Sequence, residues 1–384
     1  MKRNFLFASV TVLLTLVIVI TPVCAITPAN SENFDVEAKS AVLMDFNTGT
    51  VLYEKNPDEP LPPASVTKIM TLLIIMEALD SGELSADEIV TVSEYAASMG
   101  GSQVFLEAGE TMPINDFLKS IIIASANDCA VAMAEAVCGS EEVFVARMNQ
   151  RAKELGMKNT HFENATGLDD DVSNHLTSAR DIAIMSRELM KHDKIFEYTT
   201  TWMDSIRNGA FGLTNTNRLI RFYKGATGLK TGSTGKAGFC ISATAKRDGL
   251  HLIAVIMGSE TRDIRNNAAK KLLDYGFSTY CVFTDAKTIA GTIHVKGGEK
   301  ESAECYYDGC EILVDLAKGK SVKKEIELNE TVSAPIREGD TVGKVKYILD
   351  NETIYECEIK AKESVNKITY FSLLKRIFAS YILK

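Results

Sequence analysis

The stretch Pro63-Ala64-Ser65-Val66-Thr67-Lys68-Ile69-Met70-Thr71 decides how this chain is read. Pro60, Pro62 and Pro63 break the backbone just before it, and Ile69, Leu72, Leu73, Met76 and Leu79 then recur at helical spacing. Ser65 and Lys68 therefore fall three apart near the start of an apolar helix, where Cβ atoms on one face are roughly 5–6 Å apart. A hydroxyl and an amine at that separation can share a proton, as a nucleophile and its base do. The first turn of a helix also favours negative charge. A serine before a helix commonly serves only as its N-cap. The neighbouring residues have to decide between the two.

Upstream, residues 40–54 alternate around Asn47-Thr48-Gly49 and predict a hairpin that opens a sheet. Downstream, residues 117–124 and 130–137 are apolar helical runs separated by Ser125-Ala126-Asn127-Asp128, whose small polar side chains mark a turn. Residues 143–155 and 179–190 predict further helices, with Asn164-Ala165-Thr166-Gly167-Leu168 in a loop between them. Residues 227–233, 238–246 and 250–257 read as three strands, followed by a helix over 264–275. Strands at both ends with helices between them predict an α/β core whose sheet is assembled from distant pieces.

After about Thr284 the period shortens. Strands are expected at 289–296, 311–316, 325–328, 344–349 and 353–360, forming a small β-rich domain without a concentration of catalytic side chains. The tail, 367–384, places Ile368, Phe371, Leu374, Ile377, Phe378, Tyr381 and Ile382 on one helical face beside Lys375, Arg376 and Lys384. A basic amphipathic helix rich in aromatics suits a membrane interface better than packing on the β domain.

A chain of 384 residues is long enough for two or more domains of roughly 100–200 residues. A net charge of −9 with no basic, aromatic-laced patch argues against nucleic acid as a partner. Lys2 and Arg3, the apolar run 5–20 and Val23-Cys24-Ala25 predict an export signal over 1–25. A retained anchor is the alternative, although the run is shorter than the roughly 20 residues a span prefers. Cys24 raises lipoprotein processing, which Thr21-Pro22-Val23 fits poorly. The remaining cysteines, Cys129, Cys138, Cys240, Cys281, Cys305, Cys310 and Cys357, are odd in number and match no disulfide framework. Cys305 and Cys310 are the pair to expect if any forms.

Ser65-Val66-Thr67-Lys68, Ser125-Ala126-Asn127 and Lys230-Thr231-Gly232 are each common patterns. In this order, on a helix start, a helix–helix turn and a strand, they form a specific set. With Pro63-Ala64, Ile69-Met70-Thr71, Asp128, Phe162, Asn164, Gly167-Leu168 and Thr177-Ser178-Ala179-Arg180-Asp181, the chain resembles the serine-type D-alanyl-D-alanine carboxypeptidases. These are low-molecular-mass penicillin-binding proteins of the peptidase S11 family. The resemblance covers nearly all of the expected mature chain, with one departure at Ser233, where many relatives carry histidine.

The resemblance implies an α/β (α+β) penicillin-binding, β-lactamase-like domain over 26–284, a small β-rich domain over 285–364 and an amphipathic membrane-associating helix over 365–384. It implies removal of the terminal D-alanine from peptidoglycan stem peptides ending in D-Ala-D-Ala, in peptidoglycan remodelling and cell-shape maintenance. β-Lactam antibiotics are implied as covalent inhibitors, and the outer face of the cytoplasmic membrane as the place of work. Ser65 is then the nucleophile, neutral Lys68 its proton acceptor and Ser125 a proton relay to the departing amine. Asn127 holds Lys68 and the substrate amide, and Lys230 and Thr231 bind the terminal carboxylate. The backbone N–H groups of Ser65 and of Ser233, which follows Gly232, form the oxyanion hole. Burial and Lys230 are the expected causes of a depressed Lys68 pKa.

No cofactor and no metal are expected. His161, His175, His192, His251 and His294 include no H-E-x-x-H, and residues 228–236 lack the phosphate-loop pattern. The histidines read as surface or structural, Trp202 has no assignable role, and Arg180 and Asp181 read as structural at a helix start. Three alternatives stay open: a class A-like β-lactamase using Glu163, a D,D-endopeptidase, and a catalytically silent penicillin-binding sensor.

Overall fold

Leu250–Ser259 is apolar along nearly its whole length, and its neighbours explain why. Leu252, Ala254 and Ile256 share one buried cluster with Ala41, Leu43 and Leu273, whereas Ile253, Val255 and Met257 share another with Val42, Met44 and Leu72. Successive strand residues face opposite ways, so a strand covered on both sides loses the polar half of its alternation. This strand is the centre of a five-stranded antiparallel sheet in the order Val51–Lys55, Ser40–Asp45, Leu250–Ser259, Gly238–Arg247, Ala226–Thr234. The sheet thus joins the N-terminal hairpin to strands some 200 residues later, as the pattern of elements predicted.

The computed structural model describes residues 34–382 apart from Asp171. The export-signal expectation over 1–25, and residues 383 and 384 of the expected tail, lie outside the described residues. Two compact units are present: a larger one running to Phe283 and including Glu311–Lys320, and a smaller one made of Thr284–Cys310 and the chain from Ser321 onward. A linear division at residue 284 places Glu311–Lys320 with the smaller unit, and the structure does not.

In the larger unit, helix Lys68–Asp80 buries ten of its thirteen residues. The sequence spacing predicted one apolar face. Ile74 and Ile75 complete an apolar belt because helices Asn127–Cys138 and Ala179–Leu189 both pack on this one. Each such aliphatic side chain stabilises the fold by roughly 1.5–3 kcal/mol, so the helix is a rigid mount for Lys68. Arg180 forms ion pairs with Glu54 and Asp58, and Asp181 accepts from Asn159 N and Thr160 Oγ1, which are structural contacts.

The smaller unit is built on a six-stranded sheet, ordered Lys323–Leu328, Thr341–Leu349, Glu352–Ala361, Ser302–Asp315, Tyr280–Lys296, Thr331–Ser333. All five expected strands run longer than the sequence indicates, Tyr280–Lys296 and Ser302–Asp315 most of all, and Thr331–Ser333 is an additional short strand. Ser302–Asp315 shows in the sequence only from residue 311 because Asp308-Gly309 has the composition of a turn, although Glu304 and Asp308 fall on the outward face in regular alternation with buried Ala303, Cys305 and Tyr307. In the sheet these carboxylates meet Lys362 and Lys287. Cys305 and Cys310 do not pair; all seven described cysteines are free thiols. The terminal helix, Tyr370–Ile382, leaves Tyr370, Phe371 and Phe378 more than 60% exposed. No helix among the described residues is long and apolar enough to cross a membrane.

Candidate active site

Ser65 lies on a 3-10 turn, Ala64–Thr67, that leads directly into helix Lys68–Asp80. No side chain caps either start, and Ser65 Oγ instead sits 3.1 Å from Lys68 Nζ. The capping alternative is therefore set aside. Lys68 is fully buried, and its Nζ also donates to Asn127 Oδ1 at 2.5 Å and to the Thr166 carbonyl at 2.9 Å. Burial pushes its pKa well below the usual lysine range, and the Lys230 cation pushes the same way; Asp128 opposes them more weakly.

Ser125 follows the single π-helical turn Ser120–Ala124 and has a left-handed backbone, φ +64°. That conformation aims its hydroxyl at strand Ala226–Thr234, where Lys230 Nζ donates to Ser125 Oγ at 2.7 Å. Lys230 Nζ also donates to the Thr231 carbonyl at 3.0 Å, and Thr231 Oγ1 donates to Thr216 Oγ1 at 2.9 Å. Burial, then Arg265, lowers the Lys230 pKa to about 7. At Gly232 a Cβ would lie 2.8 Å from Ser65 N and 2.9 Å from Val66 N, so only glycine lets the strand close on the turn that carries Ser65. Ser233, next along the strand, is exposed. All eight residues singled out from the sequence sit on three stretches of chain that meet here.

The loop after residue 162 completes the lysine pocket. Asn164 Oδ1 accepts from the N–H groups of Thr166 and Gly167 at 3.1 and 2.7 Å, an Asx-type turn. Thr71 Oγ1 donates to the Ala165 carbonyl at 2.7 Å, which fixes the loop against the helix. Glu163 turns away: its Oε2 accepts from Asn174 N at 2.9 Å. Glu163 is exposed and is not among the residues lining the cleft that holds Ser65, which argues against the water-activating base that a class A-like β-lactamase needs.

Several side chains at the site escaped sequence reasoning. The cleft, about 600 Å³, is lined not only by Ser65, Ser125 and Thr231 but by Trp202, Phe222 and the arginines 218, 262 and 265. Arg265 is buried and donates to the Cys240 carbonyl at 3.4 Å and to Asn266 Oδ1. These residues come from separate elements, so no local pattern linked them. Asp128 had a signal, being the acid directly after Ser125-Ala126-Asn127; it is buried and accepts from Val104 N and Leu106 N, each at 3.1 Å. Asn127 Nδ2 donates to the Gly100 carbonyl at 2.7 Å, so Asn127 ties that same loop to Lys68. Among the described residues no group of three or more His, Cys, Asp or Glu side chains is placed to hold a metal ion.

Comparison with known proteins matches this arrangement to two families. One described as D-alanyl-D-alanine carboxypeptidase covers residues 25–261, and one described as the penicillin-binding protein 5 C-terminal domain covers 277–367. The D-alanyl-D-alanine carboxypeptidase DacF of Bacillus subtilis is 46% identical over 352 residues, 90% of each chain. Penicillin-binding protein 5 from Haemophilus influenzae superposes with a TM-score of 0.72 at 30% identity, covering 87% of this chain and 99% of the other. Penicillin-binding protein D2 from Listeria monocytogenes, in its ampicillin-bound form, gives 0.56 at 33% identity and covers 64% of this chain and 99% of its own.

Proposed function

The chain belongs to the D-alanyl-D-alanine carboxypeptidase family, and from that premise we propose that Ser65 attacks the carbonyl between the last two D-alanines of a peptidoglycan stem peptide. One observation carries the assignment of roles: a fully buried lysine whose Nζ lies 3.1 Å from Ser65 Oγ and touches no carboxylate. Held neutral by burial, Lys68 takes the serine proton. The tetrahedral oxyanion rests on the backbone N–H groups of Ser65 and Ser233, each donor being worth roughly 3–4 kcal/mol in such sites. Ser125, held by Lys230, passes its hydroxyl proton to the departing D-alanine amine and regains one from Lys68, so the proton taken from Ser65 ends on the leaving group and Lys230 keeps its charge. Lys230 and Thr231 hold its carboxylate, and buried Arg265 adds a positive charge to that end of the cleft. Asn127 keeps Lys68 in place and, in this reading, also holds the substrate amide. Water then hydrolyses the Ser65 ester. β-Lactams acylate the same serine, a reading supported by the ampicillin-bound Listeria relative.

The reading includes work outside the cytoplasmic membrane, with peripheral attachment to its outer face. Exposed Tyr370, Phe371 and Phe378 beside Lys375 support it, because such a helix lies in the headgroup boundary.

D-alanine release from a pentapeptide ending in D-Ala-D-Ala tests the chemistry. Wild type is expected to release it and to bind fluorescent penicillin covalently, and Ser65→Ala to do neither. Retention of penicillin labelling by Ser65→Ala overturns the assignment.

A further inference from the structure

The cleft holds far more positive charge than one carboxylate requires. Arg218, Arg262 and Arg265 line it together, and among the described residues none of the three makes an ion pair. This occurs in a chain with 51 acidic residues against 42 basic ones, where arginines elsewhere, such as Arg151, Arg180 and Arg207, are paired with carboxylates. Gathering guanidinium groups without counter-charge is unfavourable, and Arg262 and Arg218 add to burial in lowering the Arg265 pKa to about 10. Asp263 is the one carboxylate acting on Arg265 from the same helix, and it is exposed.

The wall beyond the carboxylate clamp is built in sequence. Thr231 bonds to Thr216 at 2.9 Å; Asn215, next to it, donates its N–H to the Trp202 carbonyl at 2.8 Å. The Trp202 ring meets Phe222 edge to face at 6.1 Å. Arg221 spreads over both rings, 5.6 and 5.5 Å from their centres. Phe222 is 65% exposed although it lines the cleft. Among the described residues Trp202 Nε1 has no hydrogen-bond partner. A single D-alanine leaving group needs neither this length of wall nor its aromatic ledge.

We propose that the cleft continues past the clamp as a second binding site, for a leaving group that carries a further carboxylate. Arg218 and Arg262 take that second carboxylate, and Phe222 and Trp202 pack against the carbon chain between the charges. The inference rests on the carboxypeptidase reading and extends its leaving-group specificity. Two sources share this chemistry: a free terminal dicarboxylic D-residue, and a cross-linked peptide strand whose leaving amine belongs to a diamino dicarboxylic residue that ends its own strand, so that its second carboxyl is free. The bond changes are the same for both. The Ser65 Oγ–carbonyl bond forms as the amide C–N bond breaks, the serine proton ends on the leaving amine, and water releases the acyl group as a carboxylate.

The test is a set of matched peptides ending in D-Ala-D-Ala or D-Ala-D-Glu, together with a cross-linked muropeptide dimer whose acceptor strand ends at its diamino dicarboxylic residue. Each is given to the full chain and to Arg218→Ala, Arg262→Ala and Phe222→Ala. Wild type is expected to release D-Glu with kcat/KM at least equal to that for D-Ala, or to cut the dimer comparably. The arm that responds identifies the source. In Arg218→Ala or Arg262→Ala the ratio of dicarboxylic to D-Ala kcat/KM should fall roughly tenfold, the size of one lost charge-assisted bond. Release of D-Ala with neither D-Glu release nor dimer cleavage overturns the inference and leaves the carboxypeptidase reading standing, as does a ratio that the arginine substitutions leave unchanged. Failure to release D-Ala at all overturns that reading, and the inference with it.

Discussion

His175 Nε2 lies 2.8 Å from Thr67 Oγ1, one residue before Lys68. The other ring nitrogen, Nδ1, accepts from Glu163 N at 3.0 Å, so the proton is on Nε2 and the ring is neutral. Thr67 Oγ1 in turn donates to the Ala64 carbonyl at 2.9 Å. One buried imidazole thus ties the nucleophile turn to the loop that presents the Thr166 carbonyl to Lys68. Loss of that tie in His175→Ala is expected to slow penicillin acylation roughly 10- to 100-fold, the scale of a misplaced catalytic group. His175→Gln should recover part of the rate. The apparent pKa of the acid limb of acylation should move in His175→Ala, which simple loss of stability does not produce.

Burial lowers the His175 pKa from 6.5 to about 4, and that of His251, bonded to Thr227 Oγ1, likewise. Between those two pH values the unfolded chain binds protons that the folded chain does not. Stability should therefore be fully present above about pH 6.5 and be lost as pH falls towards 4. Urea midpoints at pH 7.5, 6 and 5 check this. The pH slope should flatten in the His175→Gln, His251→Gln double variant, and an unchanged slope would count against these histidines as its source.

How far the sequence exposed this chemistry depended on whether each interaction is local. Ser65 and Lys68 are three apart on one turn, and Lys230, Thr231 and Gly232 are adjacent, so their roles show in short patterns. The hairpin at 40–54 and the three strands from 226 to 259 carried clear period-two signals because their turns are short. His175 and Trp202 carried none. The partners of His175 are 108 and 12 residues away, and what matters at Trp202 is the ledge formed with Phe222 and Arg221, from a different helix. Three arginines without an ion-pair partner among the described residues are likewise a property of folded space. Residue types announce a nucleophile, but an anion site made of unpaired charges is visible only when every carboxylate has been placed.

The two buried lysines predict a bell-shaped pH profile. In the proposed mechanism Lys68 is neutral when it accepts the Ser65 proton, and Lys230 is charged when it holds the substrate carboxylate. With the Lys230 pKa lowered to about 7, kcat/KM should decline as pH rises through that value, and the limb should move up in kcat once bound carboxylate stabilises the cation. The acid limb belongs to Lys68, whose pKa lies well below the usual lysine range. A substrate with an amidated C-terminus should lose the alkaline limb and bind more weakly. Lys68→Arg, which stays charged, should lower penicillin acylation by at least ~100-fold.

Gly167 shows how closely the lysine loop is pressed onto the nucleophile turn. Its φ is +83°, and a Cβ there would fall 1.9 Å from the Ala64 carbonyl oxygen and 2.7 Å from Thr67 Oγ1. Gly156 has a similar φ of +74° with nothing within 4 Å of the corresponding Cβ, so the pair separates backbone strain from collision. Gly156→Ala should destabilise by about 1 kcal/mol, from conformation alone. Gly167→Ala should add an overpacking term of roughly 1–3 kcal/mol, because the Ala64 carbonyl belongs to a buried turn that cannot move freely. Displacement of the loop also withdraws the Thr166 carbonyl from Lys68. Urea unfolding measures the first effect and penicillin acylation the second. Equal stability losses at the two glycines would show that the contact between loop and turn yields without strain, and acylation at the wild-type rate would show that Lys68 does not depend on that carbonyl.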